Sequence, residues 1–283
     1  MPELPEVETV ARDLRPLLVG RTITNVWAGQ PELRKPWQKT WEKQLLGAVF
    51  GEVKRRGKWL LAPLVRREAT ANATPVLLVH LGMTGQFTVV PITAPVETHT
   101  HRVFELDNAT QLRFRDIRRF GSVEWYPSEV IALANLGEKL GPEPFDIPAA
   151  PFAEVVRKSK RTLKAILLDQ SVVAGVGNIY ADEALFRAGL HPERRGTSLM
   201  VSECDTLRGC IEAVIARAID SRGSTIRDYV GGSGLRGGFQ HEFAAYGRTG
   251  EPCVRCGSEI ERIVLGGRSS HFCPKCQPAG GRT

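Results

Sequence analysis

Four of the six cysteines fall in two pairs near the end of the chain, Cys253-Val254-Arg255-Cys256 and Cys273-Pro274-Lys275-Cys276, with 16 residues between them. Each CxxC turn brings two sulfurs to one side. A hairpin of this length brings the two turns together, which is the geometry of a tetrahedral thiolate site for zinc. Disulfides are the competing arrangement, and a reducing cytoplasm disfavours them. Four thiolates close the coordination shell, so the expected ion is a single structural Zn2+. Cys204 and Cys210 lie six apart in a helical pattern, about 120° apart around its axis, and read as core thiols.

The tail accounts for little of the 283 residues, a length that suits about two domains. From Pro5 to Leu18, apolar residues Val7, Val10, Ala11, Leu14, Leu17 and Leu18 recur at helical spacing, and Gly20 ends the run. Short β-rich runs follow at Thr22–Val26, Val49–Arg56, Trp59–Leu64, Val76–Leu81, Gln86–Val90, Arg102–Leu106, Gln111–Arg115 and Ser122–Tyr126. Turn residues separate them, with a hairpin at Asp107-Asn108 and an exposed loop over Arg66–Pro75. Strands at this spacing predict a sandwich or flattened barrel. Residues 127–151 read as a proline-containing linker with one short helix. Helical patterns then cover Phe152–Arg157, Arg161–Asp169, Asn178–Ala188 and Ser202–Ser221, before glycine becomes dense between Gly223 and Gly250.

Composition narrows the function. Hydrophobic content of 42% with 24% charged residues is ordinary for a soluble protein. No apolar run approaches the ~20 residues that cross a bilayer, and the N-terminus lacks a secretory signal, so a cytoplasmic protein without membrane contact is expected. A net charge of +7 and a pI of 9.3 suit a polyanionic partner, nucleic acid first, although charge alone also fits an ordinary basic protein.

The opening Met1-Pro2-Glu3-Leu4-Pro5-Glu6-Val7-Glu8 carries chemistry. If Met1 is removed, Pro2 presents a secondary α-amine, a class that loses its proton near ~7.8 against ~10.4 for lysine. Attack by that amine on a sugar C1′ gives an iminium with no N–H proton to lose, an electron sink suited to elimination. The structural alternative is that Pro2 and Pro5 start a helix and that Glu6 and Glu8 favour its positive end.

Three motifs in order, the N-terminal Pro2–Glu8, Gly175-Val176-Gly177-Asn178-Ile179-Tyr180-Ala181-Asp182-Glu183-Ala184, and the cysteine tail preceded by Phe243–Arg248, closely resemble the formamidopyrimidine-DNA glycosylases of bacterial base-excision repair. The resemblance runs from Pro2 to Gln277. It implies an α+β multidomain fold. An N-terminal β-sandwich with an N-terminal helix (1–126) and a linker (127–151) come first. A helical domain with a helix-two-turns-helix motif and a glycine-rich lesion loop (152–246) and a zinc finger (247–283) follow. It implies a bifunctional glycosylase and abasic-site lyase acting as a monomer on double-stranded DNA that contains oxidised purines or abasic sites.

The resemblance also assigns roles. Pro2 is the nucleophile, Glu3 shuttles protons, and Glu6 is a further carboxylate of the site. Lys58 contacts the phosphate beside the lesion and assists catalysis; without the family it reads as a solvated charge. His80 begins the intercalating loop His80–Gly85, whose Met83 fills the gap left by the extruded base. Arg118 turns toward the orphaned cytosine and Phe120 wedges between bases. By themselves Met83 and Phe120 read as core residues. Asn178 binds phosphate and stands where it also serves as an N-cap. Arg268 bridges the phosphates around the lesion, Tyr246 is a secondary phosphate contact, and Cys253, Cys256, Cys273 and Cys276 hold zinc. The glycines of Ser224–Gly238 supply mobility to a loop closing over the base. Leu4 and Val7 depart from the related endonuclease VIII branch, which acts on oxidised pyrimidines. A zinc-ribbon DNA-binding protein without activity leaves Pro2–Glu3 unexplained.

Overall fold

The computed structural model describes residues 1–65, 74–137, 140–226 and 229–279. The loop expected over 66–75 lies mostly outside these residues, as do positions 227 and 228 of the glycine-rich stretch. Contacts group the chain into two units, Met1–Glu138 with Ser221–Gly238, and Lys139–Asp220 with Phe239–Thr283. The glycine-rich segment therefore packs with the β-rich unit, although it follows the helical stretch in sequence.

The first unit begins with helix α1 (Leu4–Leu18). Val7, Val10, Ala11, Leu14 and Leu18 recur every three or four residues and are fully buried, so one apolar stripe faces the core. Strand β1 (Ile23–Ala28) and a six-residue helix α2 (Thr40–Leu45) follow. The run expected over Val49–Arg56 is divided into β2 (Val49–Phe50) and β3 (Lys54–Arg56). The remaining strands are β4 (Trp59–Val65), β5 (Val76–His80), β6 (Gly85–Pro91), β7 (Thr100–Leu106), β8 (Thr110–Asp116) and β9 (Ser122–Tyr126).

They form two antiparallel sheets, one ordered β1-β7-β8-β6 and one ordered β2-β4-β5-β9 with β3 paired to β4. Both sheets and α1 feed one core. Leu60, Ala62 and Leu64 of β4, Leu77 and Val79 of β5, Phe104 of β7, and Leu112 and Phe114 of β8 alternate along their strands, as a half-buried pleat demands. Helix α3 (Glu129–Gly137) packs on β5 and β9, and the apolar residues of β5, Val76 to Val79, are buried on both of its faces.

The second unit holds α4 (Ala149–Lys158), α5 (Leu163–Leu168), α6 (Asn178–Ala188) and α7 (Val201–Asp220), then the hairpin β10 (Glu261–Leu265) and β11 (Arg268–Phe272). Cys204 is fully buried on α7 with Leu207, Ile211, Val214 and Ile215; Cys210 is half-buried, and neither thiol is bonded to another. No helix among the described residues is long and apolar enough to cross a membrane.

Candidate active site and nucleic-acid interface

The N-terminal acidic cluster is a capping box. Glu3, not a later residue, is the N-cap of α1, and its backbone N–H donates to Glu6 Oε2 at 2.8 Å. Pro2 is buried immediately before it, and both carboxylates are 2% exposed. The second oxygen of Glu6, Oε1, accepts from the backbone N–H of Ser224 at 2.7 Å and from its hydroxyl at 3.0 Å. Glu6 thus joins the chain start to the glycine-rich segment. Tyr229 donates to the Glu6 carbonyl at 3.1 Å; burial, then the Glu6 charge, push its phenol far up, so it stays a donor.

Two turns further along, Asp13 Oδ2 accepts from Arg222 Nη2 at 2.7 Å and from the Ser233 hydroxyl at 2.8 Å. The glycines between them are there for contact. A Cβ at Gly231 would lie 2.3 Å from Asp13 Oδ2, and one at Gly223 would lie 2.8 Å from Glu6 Oε1. Close approach to α1, which local sequence cannot reveal, requires glycine at both positions, and Gly223 also adopts a positive φ of +73°.

Lys58 occupies the turn between β3 and β4 behind Gly57 (φ +56°) and is 7% exposed. Its neighbour Trp59 pairs with His80, and their rings lie 4.6 Å apart. The His80 Nδ1 accepts the Gly82 N–H at 3.1 Å. Burial first, then the charges of Lys58 and Arg34, lower His80 to about 4. The imidazole is therefore neutral at physiological pH, with its Nε2–H left as donor. Arg55 Nε meets Glu8 Oε2 at 3.0 Å and pins α1 along β3.

Met83 is half-buried in the turn between β5 and β6, whereas Arg118 and Phe120 are exposed between β8 and β9. The Arg118 guanidinium lies 4.8 Å over the Phe120 ring, and Phe120 is 46% exposed. Met83 and Phe120 are thus outside the apolar core that each would join on composition alone.

In the second unit, α6 carries two adjacent buried carboxylates that sequence reading passed over. Asp182 takes both the backbone N–H and the Nδ1 of His271 at 2.9 Å, and it pairs with the fully buried Lys164 ammonium. Lys164 also donates to the Asn178 carbonyl at 3.0 Å. Glu183 accepts the N–H groups of Ala244, Ala245 and Tyr246 at 2.8–3.1 Å. Burial pushes its carboxyl up, and the three donors oppose that. Asn178 is the first residue of α6 rather than its cap, because Gly177 holds the extended cap position; the Asn178 Oδ1 is buried with no hydrogen-bond partner among the described residues. Arg268 opens β11 after a Gly266-Gly267 turn with both φ positive, is exposed, and has no ion-pair partner among the described residues.

The four cysteine sulfurs lie within 4.8 Å of one another, with Cys253–Cys276 at 3.9 Å and Cys256–Cys273 at 3.4 Å. Tetrahedral zinc with bonds of ~2.3 Å sets sulfurs about 3.8 Å apart, so the quartet fits one structural Zn2+. Hydrogen bonds from Ser258 bring Cys256 down to about 6 while burial pushes Cys276 up to about 12. A dication is what lets all four ionise together. Cys253 and Cys273 share a small core with Phe186 and Ile260, and the buried Gln277 donates to the Leu190 carbonyl at 2.8 Å, which seats the finger against α6 and the turn after it.

Known proteins match this architecture throughout. Residues 1–123 match the formamidopyrimidine-DNA glycosylase N-terminal domain, 140–230 its H2TH domain, and 250–279 the zinc finger found in FPG and IleRS. The formamidopyrimidine-DNA glycosylases of Geobacillus kaustophilus and Herpetosiphon aurantiacus are each 44% identical, covering 98% of this chain and all of theirs. A Lactococcus lactis FPG mutant bound to Fapy-dG DNA superposes with a TM-score of 0.89 at 38% identity, over 98% of this chain and all of that one. MutM in complex with carbocyclic 8-oxo-G DNA gives 0.88 at 38% over the same shares. The fold is that of a DNA glycosylase built from a β-sheet domain, an H2TH domain and a zinc finger. The chain belongs to the formamidopyrimidine-DNA glycosylase family.

Proposed function

We propose that the chain is a bifunctional glycosylase and abasic-site lyase. It removes 8-oxoguanine and formamidopyrimidines from double-stranded DNA, acting as a monomer in the cytoplasm. The observation that carries this reading is Pro2, buried at the start of α1 beside the Glu3–Glu6 box in a chain alike to the family over its whole length. With Met1 removed, the Pro2 nitrogen attacks C1′ and loses its proton, and the bond from C1′ to the base breaks as the base leaves protonated. The ring oxygen then departs from C1′ as an alcohol, leaving the iminium. Loss of a C2′ proton expels the 3′ phosphate, a second elimination expels the 5′ phosphate, and water frees the enzyme. Glu3, held beside Pro2 by its own cap position, is the carrier for these protons.

The neutral His80, Lys58, Asn178, Tyr246 and Arg268 hold the backbone phosphates, and Met83, Arg118 and Phe120 replace the extruded base. Residues 247–283 form the finger that presents Arg268, where zinc supplies folding rather than chemistry.

Borohydride trapping tests the whole reading, on protein whose loss of Met1 is established by mass spectrometry. A covalent complex is expected on an 8-oxoguanine:cytosine duplex, formed faster than on an oxidised-pyrimidine duplex. Pro2→Gly keeps weak lyase activity through its primary amine, while Glu3→Gln loses base excision. Full activity in protein that retains Met1 refutes the mechanism, because the Pro2 nitrogen is then an amide.

A further inference from the structure

We propose that Asp116 is a positioning residue that fixes the two base-replacing turns as one body, through Thr84. Asp116 ends β8, is fully buried, and stands opposite Gly85 of β6. Its Oδ1 accepts the Thr84 O–H and, at 3.3 Å, the Arg118 N–H, which the Thr84 hydroxyl also accepts at 3.0 Å. Its Oδ2 accepts the Gly121 N–H at 2.7 Å. One carboxylate therefore closes the 116–121 turn on itself and ties it to the 82–85 turn of the next strand.

The two turns also touch backbone to backbone. A Cβ at Gly82 (φ +61°) would lie 2.4 Å from the Gly121 nitrogen, and one at Gly121 would lie 2.7 Å from the His80 carbonyl oxygen. No ion pair involves Asp116 among the described residues. A buried carboxylate satisfied only by two N–H groups and one hydroxyl is an expensive way to add stability, since apolar packing serves that end better. What the carboxylate supplies is register: Met83 on one turn, and Arg118 and Phe120 on the other, keep a fixed spacing before any duplex arrives. Pre-set groups of this kind lose little freedom when they enter the gap.

This proposal rests on the reading that Met83, Arg118 and Phe120 replace the flipped base. Its test compares Thr84→Val, which keeps the shape and removes the hydroxyl, with Thr84→Ser, which keeps the hydroxyl. Each is assayed in single turnover on an 8-oxoguanine duplex and on a preformed abasic duplex. Loss of a hydrogen bond to a charged group predicts excision slowed about 10- to 100-fold in Thr84→Val. Abasic cleavage should stay within about twofold, since no base needs extruding, and Thr84→Ser should restore excision. Asp116→Asn, combined with Thr84→Val, should cost no more than the larger single change, because both cut one link. Equal defects on both substrates, or a Thr84→Ser variant as slow as Thr84→Val, overturn the proposal. Met83→Ala, run alongside, separates the levels. A lesion-selective defect in Met83→Ala without one in Thr84→Val overturns the positioning role alone. No such defect in Met83→Ala removes the wedge reading and the proposal with it.

Discussion

The turns that carry Met83, Arg118 and Phe120 and the elements that carry Asn178, Tyr246 and Arg268 are held by different physics. In the first unit a single carboxylate and touching glycine backbones set two adjacent turns. In the second, two neighbouring carboxylates on α6 grip β11 and the 244–246 segment, and a four-thiolate site folds the hairpin. Hydrogen bonds to charged groups contribute about 1.5–3 kcal/mol each, so the first arrangement weakens one link at a time. A structural zinc site contributes about 10 kcal/mol or more, so the second fails as a whole.

The largest test of that contrast is Cys273→Ser. Zinc content should fall from one per chain to none, amide protection in β10 and β11 should vanish, and DNA affinity should drop by about 100-fold or more, with the β-rich unit still folded. Tight DNA binding by the zinc-free protein would break the comparison at its centre.

A smaller effect follows from Asp182→Asn, which leaves the Lys164 ammonium buried against a neutral amide. Removing one partner of such a pair costs about 3–5 kcal/mol, or roughly 10 °C in the melting midpoint of this unit. A change to paired apolar residues at 164 and 182 should recover most of it. A shift below about one degree in Asp182→Asn would show that the hairpin needs no anchoring charge.

Arg268→Ala and Lys58→Ala sharpen the comparison by testing one proposed phosphate contact in each unit. Each should lower the slope of log affinity against log salt by about one, whereas Asn178→Ala weakens binding without changing the slope.

The smallest effect is a pH dependence confined to the first unit. His80 is lowered to about 4 when folded, against about 6.5 in an open chain. Its contribution is fully present above pH 6.5 and is lost as pH falls toward 4, because the unfolded chain takes a proton that the folded site refuses. Urea midpoints measured from pH 7 to 4.5 should decline less steeply in His80→Gln. Identical slopes would remove His80 as the source.

Much of this was legible in the sequence, and the gaps have physical causes. The strands could be read because Leu60, Ala62 and Leu64 or Leu112 and Phe114 alternate, and α1 because Val7, Val10 and Leu14 step by three and four. Helix α2, at six residues, is too short to show a period, and Gly51 lies between β2 and β3 inside what reads as one run. The zinc ligands declared themselves by spacing alone. Asp182 and Glu183 look like ordinary helix charges, since their partners His271 and Ala244 lie 89 and 61 residues away. Asp116 carried one faint local signal, an acidic residue just before the Arg118-Arg119-Phe120-Gly121 turn that it closes.

The Glu6–Ser224 bond also fixes an order of assembly. The β-rich unit is completed by Ser221–Gly238, yet the whole stretch Lys139–Asp220 is synthesised in between. At roughly 5–20 residues per second, elongation holds α1, which ends at Leu18, without its covering segment for about 10–40 seconds. During that interval Glu6, Asp13 and the Leu14 face against which Gly232 packs are open. The nascent chain therefore emerges with Pro2 and α1 made early and the segment that covers them made only after Lys139–Asp220.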